Sequence, residues 1–352
     1  MTQYLSDKLR ILSLISIIFV LYIHSNFHAD EIEGMLMNDR FQEFISEIMG
    51  RCAVPLFYMI SGYLFFLKVP EGMISIYGKM KKRVRTLVVP YIIGCLFFVG
   101  FGVLMAVLPG VSKYMNSSVM PLFSKPLEEI LRSIFYDAGN GTPCAFQLWF
   151  LRDLILIVAT SPLWFMCLKH LKWGFVAVVF VLTYWDVPHV PFYSLFWFVL
   201  GGQLTKVRIE SEWKEGIRSA ELLALCLFLV LSILQLVFPD IVDWCLLRIP
   251  IILLGIIGAW GLYDAVVGKD FNLSQHRWLT TACQFTFFIY IFHEPTLNIV
   301  RKLIVVVLGK NELGYLTSYL ISPWIFTVCA VFIGLLFRKN LPKVYNLCTG
   351  GR

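Results

Sequence analysis

Two histidines and a glutamate lie in stretches of the chain that are otherwise apolar. His24 closes the run KLRILSLISIIFVLYIH, and His293 and Glu294 come directly before Pro295 in FTFFIYIFHEP. An imidazole can take a proton from a hydroxyl group and a carboxylate can assist it, so this set could carry general acid–base catalysis. For His24 alone, the sequence favours catalysis and a hydrogen bond between helices equally.

Three arginines lie in similar positions near the ends of apolar runs. Arg10 precedes His24 by 14 residues, so on a helix the two side chains share a face and lie about 21 Å apart along the axis. Arg51 opens the second apolar run, where it could bind an anion or position a substrate hydroxyl. A side chain that simply reaches the membrane surface is the competing interpretation. Arg152 and Asp153, in QLWFLRDLI, are expected to pair with other helices.

The segment KMKKRVRTLVVPY is strongly basic. It contains Lys82, Arg83 and Arg85 and leads into Pro90 and Tyr91. A ligand that carries phosphate groups would find matching charge there. Basic runs also occur in the cytoplasmic loops of most membrane proteins, where they set orientation, and the run taken alone favours this second interpretation.

The elements that position these groups are membrane-spanning helices. Of 352 residues 58% are hydrophobic and only 15% are charged, with a mean hydropathy of +0.75, whereas about a quarter of the residues of a soluble protein are charged. We therefore expect an all-α, polytopic membrane bundle that forms a single domain over residues 1–352. The hydropathy predicts ten spans, approximately 11–28, 48–67, 87–108, 146–167, 173–186, 191–205, 220–238, 245–264, 279–298 and 315–337.

The loops predict the orientation and exclude some partners. Basic residues follow the second span and acidic ones precede it, which places both termini in the cytoplasm. The net charge of +7 lies in these loops, so membrane lipid is the expected partner of the basic residues and nucleic acid is not. Nine cysteines without a CxxC pair indicate neither a disulfide framework nor a metal site.

Three local features complete the prediction. Pro55 indicates a kink or break in the second span, and Ser61-Gly62 would let another helix approach closely. The fifth and sixth spans are short and could form a shallow hairpin around DVPHVP. In the long external connection, PLEEILRSIFYDAGNGTP predicts an amphipathic helix on the outer surface.

Together these motifs resemble the acyltransferase type 3 family of integral membrane proteins, which acylate sugar hydroxyls of bacterial surface glycans. The resemblance covers nearly the whole chain. It rests on DKLR before the helix that ends in His24, VPLFYMISGY, the basic run before Pro90-Tyr91, LWFLRDL, FWFVLGG and IYIFHEP. In the family the arginine of the first span usually lies eleven residues before the histidine, whereas here Ser13 occupies that position and Arg10 lies one turn further away.

The resemblance implies a reaction and a site. An acyl group, expected to be acetyl with succinyl as the alternative, passes from a cytoplasmic acyl-CoA, expected to be acetyl-CoA, to a hydroxyl of a glycan or lipid-linked saccharide at the outer side of a bacterial cytoplasmic (inner) membrane. The transfer is either direct or goes through a transient acyl intermediate. His24 would be the base, and the other predicted catalytic residues are Arg10, Arg51, His293 and Glu294. The residues predicted to bind the acyl-CoA are Ser61, Gly62, Lys82, Arg83, Arg85, Tyr91, Trp149 and Arg152. No metal is expected, and a homodimer is compatible with the sequence.

A second function remains open at this point. Ten spans, broken helices and buried histidines would also suit a proton-coupled secondary transporter or a flippase of a lipid-linked glycan. The sequence shows no inverted repeat and no acidic pair within the spans. Thermal stabilisation by acetyl-CoA, but not by free sugar or ions, would distinguish the enzyme from the transporter.

Overall fold

The computed structural model describes residues 1–27, 35–67, 73–108, 119–185, 190–206, 218–239, 244–267 and 271–351. No β-strand occurs in these ranges. The α-helices are α1 (Gln3–Ser25), α2 (Leu36–Glu43), α3 (Ala53–Phe66), α4 (Met73–Val107), α5 (Leu127–Phe135), α6 (Trp149–Ala159), α7 (Ser161–His170), α8 (Trp173–Leu182), α9 (Phe192–Leu204), α10 (Ser219–Val237), α11 (Trp244–Val266), α12 (Arg277–Leu308), α13 (Glu312–Asn340) and α14 (Pro342–Thr349).

The predicted all-α membrane class is confirmed in its main features. Six helical segments of the described chain are long and apolar enough to cross a membrane, namely Gln3–Ser25, Asn38–Phe66, Ile74–Val107, Ser219–Val237, Trp244–Val266 and Glu312–Asn340. A seventh is possible if Phe146–Ala159 and Ser161–His170, bent by 65°, form one span. The predicted fifth, sixth and ninth spans correspond to the short α8 and α9 and to α12. The count of ten crossings therefore stays a prediction.

The contacts define two ends of the bundle, which we call the Arg10 end and the His24 end after these two residues of α1. The first turns of α1 meet the last turn of α11 through Lys8 and Asp264 at the Arg10 end. At the C-terminus, Gly350 lies against the backbone of Thr86, in the turn of α4 after Arg83, so the chain returns to the same end. The compartment that the Arg10 end faces stays a prediction. Residues 28–34, 68–72, 186–189 and 207–217 of the connecting loops lie outside the described ranges.

Helix α1 is fixed at both ends by buried cations. Lys8 is 1% exposed, and its Nζ donates to Oδ1 of Asp264 at 2.6 Å while lying 3.8 Å from the centre of the Trp260 ring. At the other end, Arg301 of α12 donates to the backbone carbonyl of Asn26. A buried charge that loses its partner is strongly destabilising, so these two contacts determine where α1 sits.

Helices α3 and α9 cross at backbone contact. A Cβ atom at Gly62 would collide with the carbonyl of Phe198, and one at Gly201 would collide with the carbonyl of Met59. Small residues permit this approach between membrane helices. The predicted close approach at Ser61-Gly62 is confirmed, and the role of Gly62 in the structure is helix packing.

The irregular part of the second span lies before Pro55 and not at it. A π-helical segment, Phe44–Met49, and a 3₁₀ turn, Gly50–Cys52, precede α3, which then continues unbroken to Phe66. Pro55 falls in the first turn of α3, where a proline removes no hydrogen bond that the helix needs. The predicted break at Pro55 therefore moves a few residues toward the N-terminus.

The predicted amphipathic helix of the long connection is confirmed as α5. Leu127 and Leu131 are exposed on one side, whereas Ser133 and Ile134 are buried against the bundle. Residues 109–118 of the same connection lie outside the described ranges.

The Gly62 contact leads to a stability prediction. Replacing Gly62 by Ala should destabilise the protein by about 1–3 kcal/mol, because α3 and α9 must move apart to accept the methyl group. The matched control is Gly100→Ala in α4, where an added Cβ meets no atom within 4 Å, and no loss of stability is expected. Thermal unfolding in a neutral detergent measures both. Equal melting temperatures for the two variants would contradict the assignment.

Candidate active site

A cavity of about 430 Å³ opens at the Arg10 end of the bundle. Helices α1, α3, α4, α6, α9 and α12 contribute its walls, which are largely apolar. Its polar lining includes Arg10, Ser13, Ser61, Arg83, Gln284 and Tyr290. The structure thus brings together Arg10, Ser61 and Arg83, three residues that the sequence analysis predicted from separate helices. Ser13, the residue eleven positions before His24, shares the cavity with Arg10.

The basic run of α4 presents only part of its charge to the cavity. Arg83 and Leu87, one helical turn apart, both line it, and Arg83 is partly buried. Lys82 and Arg85 are exposed and are not among the residues of the wall. Neighbours on a helix point about 100° apart, so a run of consecutive basic residues cannot all face one site.

Tyr290 connects the cavity with the two histidines. Its side chain lines the cavity, and its hydroxyl donates to the carbonyl of Gln147 at 3.0 Å. Its own carbonyl accepts a hydrogen bond from Nδ1 of His293 at 2.7 Å. The inner wall of the cavity therefore holds the ring of His293 in place.

His24 and His293 form a pair of adjacent imidazoles. Their ring centroids are 4.9 Å apart, and Phe146 lies 5.4 Å from His24 on another side. A carbonyl oxygen can only accept, so the contact with Tyr290 places the proton of neutral His293 on Nδ1 and leaves Nε2 as an acceptor. This Nε2 is buried and has no hydrogen-bond partner within the described chain. It is available to an N–H of His24 or to a bound hydroxyl.

The backbone of α12 is interrupted at Glu294, which has φ −105° and ψ 137°. The carbonyl of Glu294, freed from the helix, accepts from Nε2 of Gln147 at 3.2 Å. The side chain of Glu294 is buried. Irregular backbone within membrane helices occurs where protein or a cavity can satisfy it, and here it occurs beside the two histidines.

The remaining predicted residues lie outside the cavity. Arg51 is exposed at the His24 end and pairs with Glu47. The guanidinium of Arg152 donates hydrogen bonds to the carboxylate of Asp153 at 2.8 Å and to the backbone carbonyls of Tyr136 and Gly141, both at 2.8 Å. These bonds attach the long connection to α6.

Two aromatic residues predicted to bind the acyl-CoA also have packing partners away from the cavity. The hydroxyl of Tyr91 donates to the carbonyl of Phe135 at 2.8 Å. The ring of Trp149 lies 6.4 Å from that of Tyr58. Neither of these aromatic residues lines the cavity that contains Arg10 and Arg83, and Arg152 does not line it either.

Three polar residues around the histidines were not among the residues predicted from the sequence, namely Gln147, Tyr290 and Arg301. Gln147 and Arg301 stand in or beside apolar runs, so the rule that drew attention to His24 would have found them. Tyr290 belongs to the motif IYIFHEP but resembles an ordinary membrane aromatic, and only its position in the folded chain reveals its role.

Comparison with known proteins identifies the family of the chain. The family model described as an acyltransferase domain matches residues 7–337. The succinoglycan biosynthesis protein ExoH of Rhizobium meliloti (strain 1021) is 25% identical over 360 residues, which cover 98% of this chain and 91% of that protein. No solved structure matches the chain.

The cavity leads to a prediction about thiol reactivity. Cys283 lines the cavity with Arg10 and Arg83. In a variant that keeps only this cysteine, an anionic methanethiosulfonate reagent should react several-fold faster than a cationic one, after normalisation to a free thiol, because the guanidinium groups attract anions. Arg10→Gln should remove much of this preference.

Cys95 supplies the control for this measurement. It is completely buried, so a variant that keeps only Cys95 should react slowly with both reagents. A preference for the cationic reagent at Cys283, or a rate as slow as that of Cys95, would contradict a positively charged, water-filled cavity.

Proposed function

The chain belongs to the acyltransferase family whose model spans residues 7–337, and from this premise we propose that it transfers an acetyl group from acetyl-CoA to a hydroxyl of a glycan. The observation that carries the proposal is the cavity at the Arg10 end. It has two guanidinium groups in its wall, and its inner wall adjoins a histidine pair.

The charges of the cavity suit an acyl-CoA. Arg83 and Arg10 would bind phosphate groups at the entrance, since a guanidinium pairs well with phosphate oxygens. The apolar wall and Ser61 would accept the pantetheine arm, and a volume of about 430 Å³ lies within the range of small-molecule sites. The thioester would then point toward Tyr290 and the histidines. Lys82 and Arg85 contribute long-range attraction from the exposed side of α4.

The histidine pair suits the chemistry of acyl transfer. His24 takes the proton of the sugar hydroxyl while the hydroxyl oxygen attacks the carbonyl carbon of the thioester. The tetrahedral intermediate collapses, the C–S bond breaks, and the thiolate of CoA leaves with the proton that His24 returns. The products are the acetyl ester and free CoA, so atoms and charge balance.

His293 acts on this step as a positioning residue. Its proton is held on Nδ1 by the carbonyl of Tyr290, so Nε2 can accept an N–H of His24 and orient that ring. The other nitrogen of His24 then carries the lone pair that removes the substrate proton. Glu294 follows His293 directly in the chain, and its side chain is buried.

We place the Arg10 end in the cytoplasm, where acyl-CoA is made, and the His24 end at the outer face of a bacterial cytoplasmic membrane. The bias of basic residues in the sequence supports this orientation. The name of the relative in Rhizobium meliloti refers to the biosynthesis of a glycan, which supports a glycan or lipid-linked saccharide as acceptor.

The base assignment leads to a kinetic prediction. His24→Ala should lower the rate of acetyl transfer by about 10²–10⁴-fold, the usual contribution of a general base. Its affinity for acetyl-CoA should be unchanged, because His24 lies beyond the cavity wall. Transfer of radiolabelled acetyl groups and equilibrium binding to purified protein measure these two quantities. Full activity in this variant would eliminate the mechanism.

The two arginines of α4 lead to a binding prediction. Arg83→Glu should weaken binding of acetyl-CoA by about tenfold or more, since a charge-assisted pair is replaced by repulsion. Arg85→Glu, two residues away and outside the cavity wall, is the matched control and should have a smaller effect that disappears at high salt. If the two reversals weaken binding equally at high salt, the phosphate groups do not bind in this cavity.

A further inference from the structure

A second cluster of arginines lies at the His24 end, away from the cavity. We propose that Arg51 and Arg248 bind a phosphate group of the lipid-linked acceptor; the identification of this ligand rests on the proposed function, whereas the site itself rests on the geometry of three helices.

Packing between the second span and α11 brings the two arginines together. The thiol of Cys52, the residue after Arg51, lies 3.8 Å from the carbonyl oxygen of Ile252, one helical turn beyond Arg248. Gly255 leaves the space for this contact, since a Cβ there would lie 2.6 Å from Sγ of Cys52. The 3₁₀ turn Gly50–Cys52 therefore presents Arg51 beside the first turns of α11.

Helix α9 supplies an aromatic surface to the cluster. The guanidinium carbon of Arg248 lies 5.2 Å from the centre of the Tyr193 ring, which stands in the first turn of α9. Tyr193 in turn packs against Trp197, with ring centroids 6.1 Å apart. Stacking on an aromatic ring holds a guanidinium in one orientation and leaves its N–H groups free to donate.

The charges of the cluster do not balance. Arg51 pairs with Glu47, but no carboxylate within the described part of the chain lies within salt-bridge distance of Arg248. Both arginines are exposed, and two neighbouring guanidinium groups repel each other as like charges. An anion with several oxygens would relieve this repulsion and could accept from both arginines at once.

The position of the cluster indicates what carries the anion. Arg248 lies near the N-terminal end of α11, and Leu246 in the first turn of the same helix is 59% exposed. A basic group next to exposed apolar surface at a helix end is typical of the membrane interface. The ligand therefore has an anionic head and an apolar tail, which describes a phosphate or diphosphate ester of a long-chain alcohol.

The cluster is also close to the histidines. A Cβ at Gly50 would lie 3.0 Å from Cγ1 of Ile23, the residue before His24. A phosphate bound by Arg51 and Arg248 would thus anchor a saccharide near the imidazoles, while the acyl donor approaches from the opposite end.

Ligand-induced stabilisation tests the proposal without requiring the natural acceptor. The purified protein in phosphatidylcholine nanodiscs is titrated with farnesyl diphosphate, a short polyprenyl diphosphate, and with farnesol as the uncharged comparison. We expect stabilisation by the diphosphate alone. Arg248→Gln should weaken it by about tenfold, the effect of losing one charge-assisted pair, and Arg248→Lys should restore part of it.

The matched control is Arg40→Gln, because Arg40 is also an exposed arginine paired with a glutamate, Glu43. This variant should respond to farnesyl diphosphate as the unaltered protein does. The proposal would be overturned if farnesyl diphosphate gave no response or if the response were undiminished in Arg248→Gln. An equal response to phosphatidylglycerol would also overturn it, because the site would then bind ordinary lipid headgroups.

A parallel titration with acetyl-CoA separates this proposal from the proposed function. Arg248→Gln should keep its full response to acetyl-CoA, because Arg248 lies at the opposite end from the cavity. A protein that responds to farnesyl diphosphate but not to acetyl-CoA would retain the phosphate site and lose the acyltransferase mechanism.

Discussion

The placement of α1 between two buried cations is the constraint on which the site depends. Lys8 is bound to Asp264 at one end, and the carbonyl of Asn26 accepts from Arg301 at the other. In an apolar environment a charged group without its partner is costly, so neither contact can be given up easily. With both ends fixed, Arg10 must face the cavity and His24 must lie beside His293.

The interruption of α12 at Glu294 is the second requirement. A continuous helix would use the carbonyl groups around His293 for its own hydrogen bonds. Here the carbonyl of Glu294 accepts a hydrogen bond from the side chain of Gln147 instead. The backbone carbonyl of Gln147 in turn accepts a hydrogen bond from the hydroxyl of Tyr290. These hydrogen bonds join α12 to the start of α6. They hold the ring of His293, which we propose orients His24, while leaving Nε2 of His293 open.

Local patterns in the sequence predicted the helices, the amphipathic helix α5 and the two histidines, because hydropathy and an ionisable group in an apolar run are local signals. Local patterns together with the family resemblance also selected Arg10, Ser61 and Arg83, which line one cavity. They could not tell that Arg83 faces the cavity and Arg85 does not, which depends on the rotation of α4. Nor could they predict the ion pair of Lys8 and Asp264, which are 256 residues apart. They also could not show that the guanidinium of Arg152 donates to the carbonyls of Tyr136 and Gly141. Such roles are decided by packing between helices that are distant in sequence.

The central claim is that donor and acceptor meet from opposite ends of the bundle, and sided acyl transfer tests it most directly. The protein is reconstituted in one orientation into sealed vesicles, with labelled acetyl-CoA supplied only at the Arg10 end and a saccharide acceptor only at the His24 end. We expect acetylated acceptor at the His24 end, and none when the two substrates exchange sides. Product that forms only when both substrates are on the same side would contradict the account.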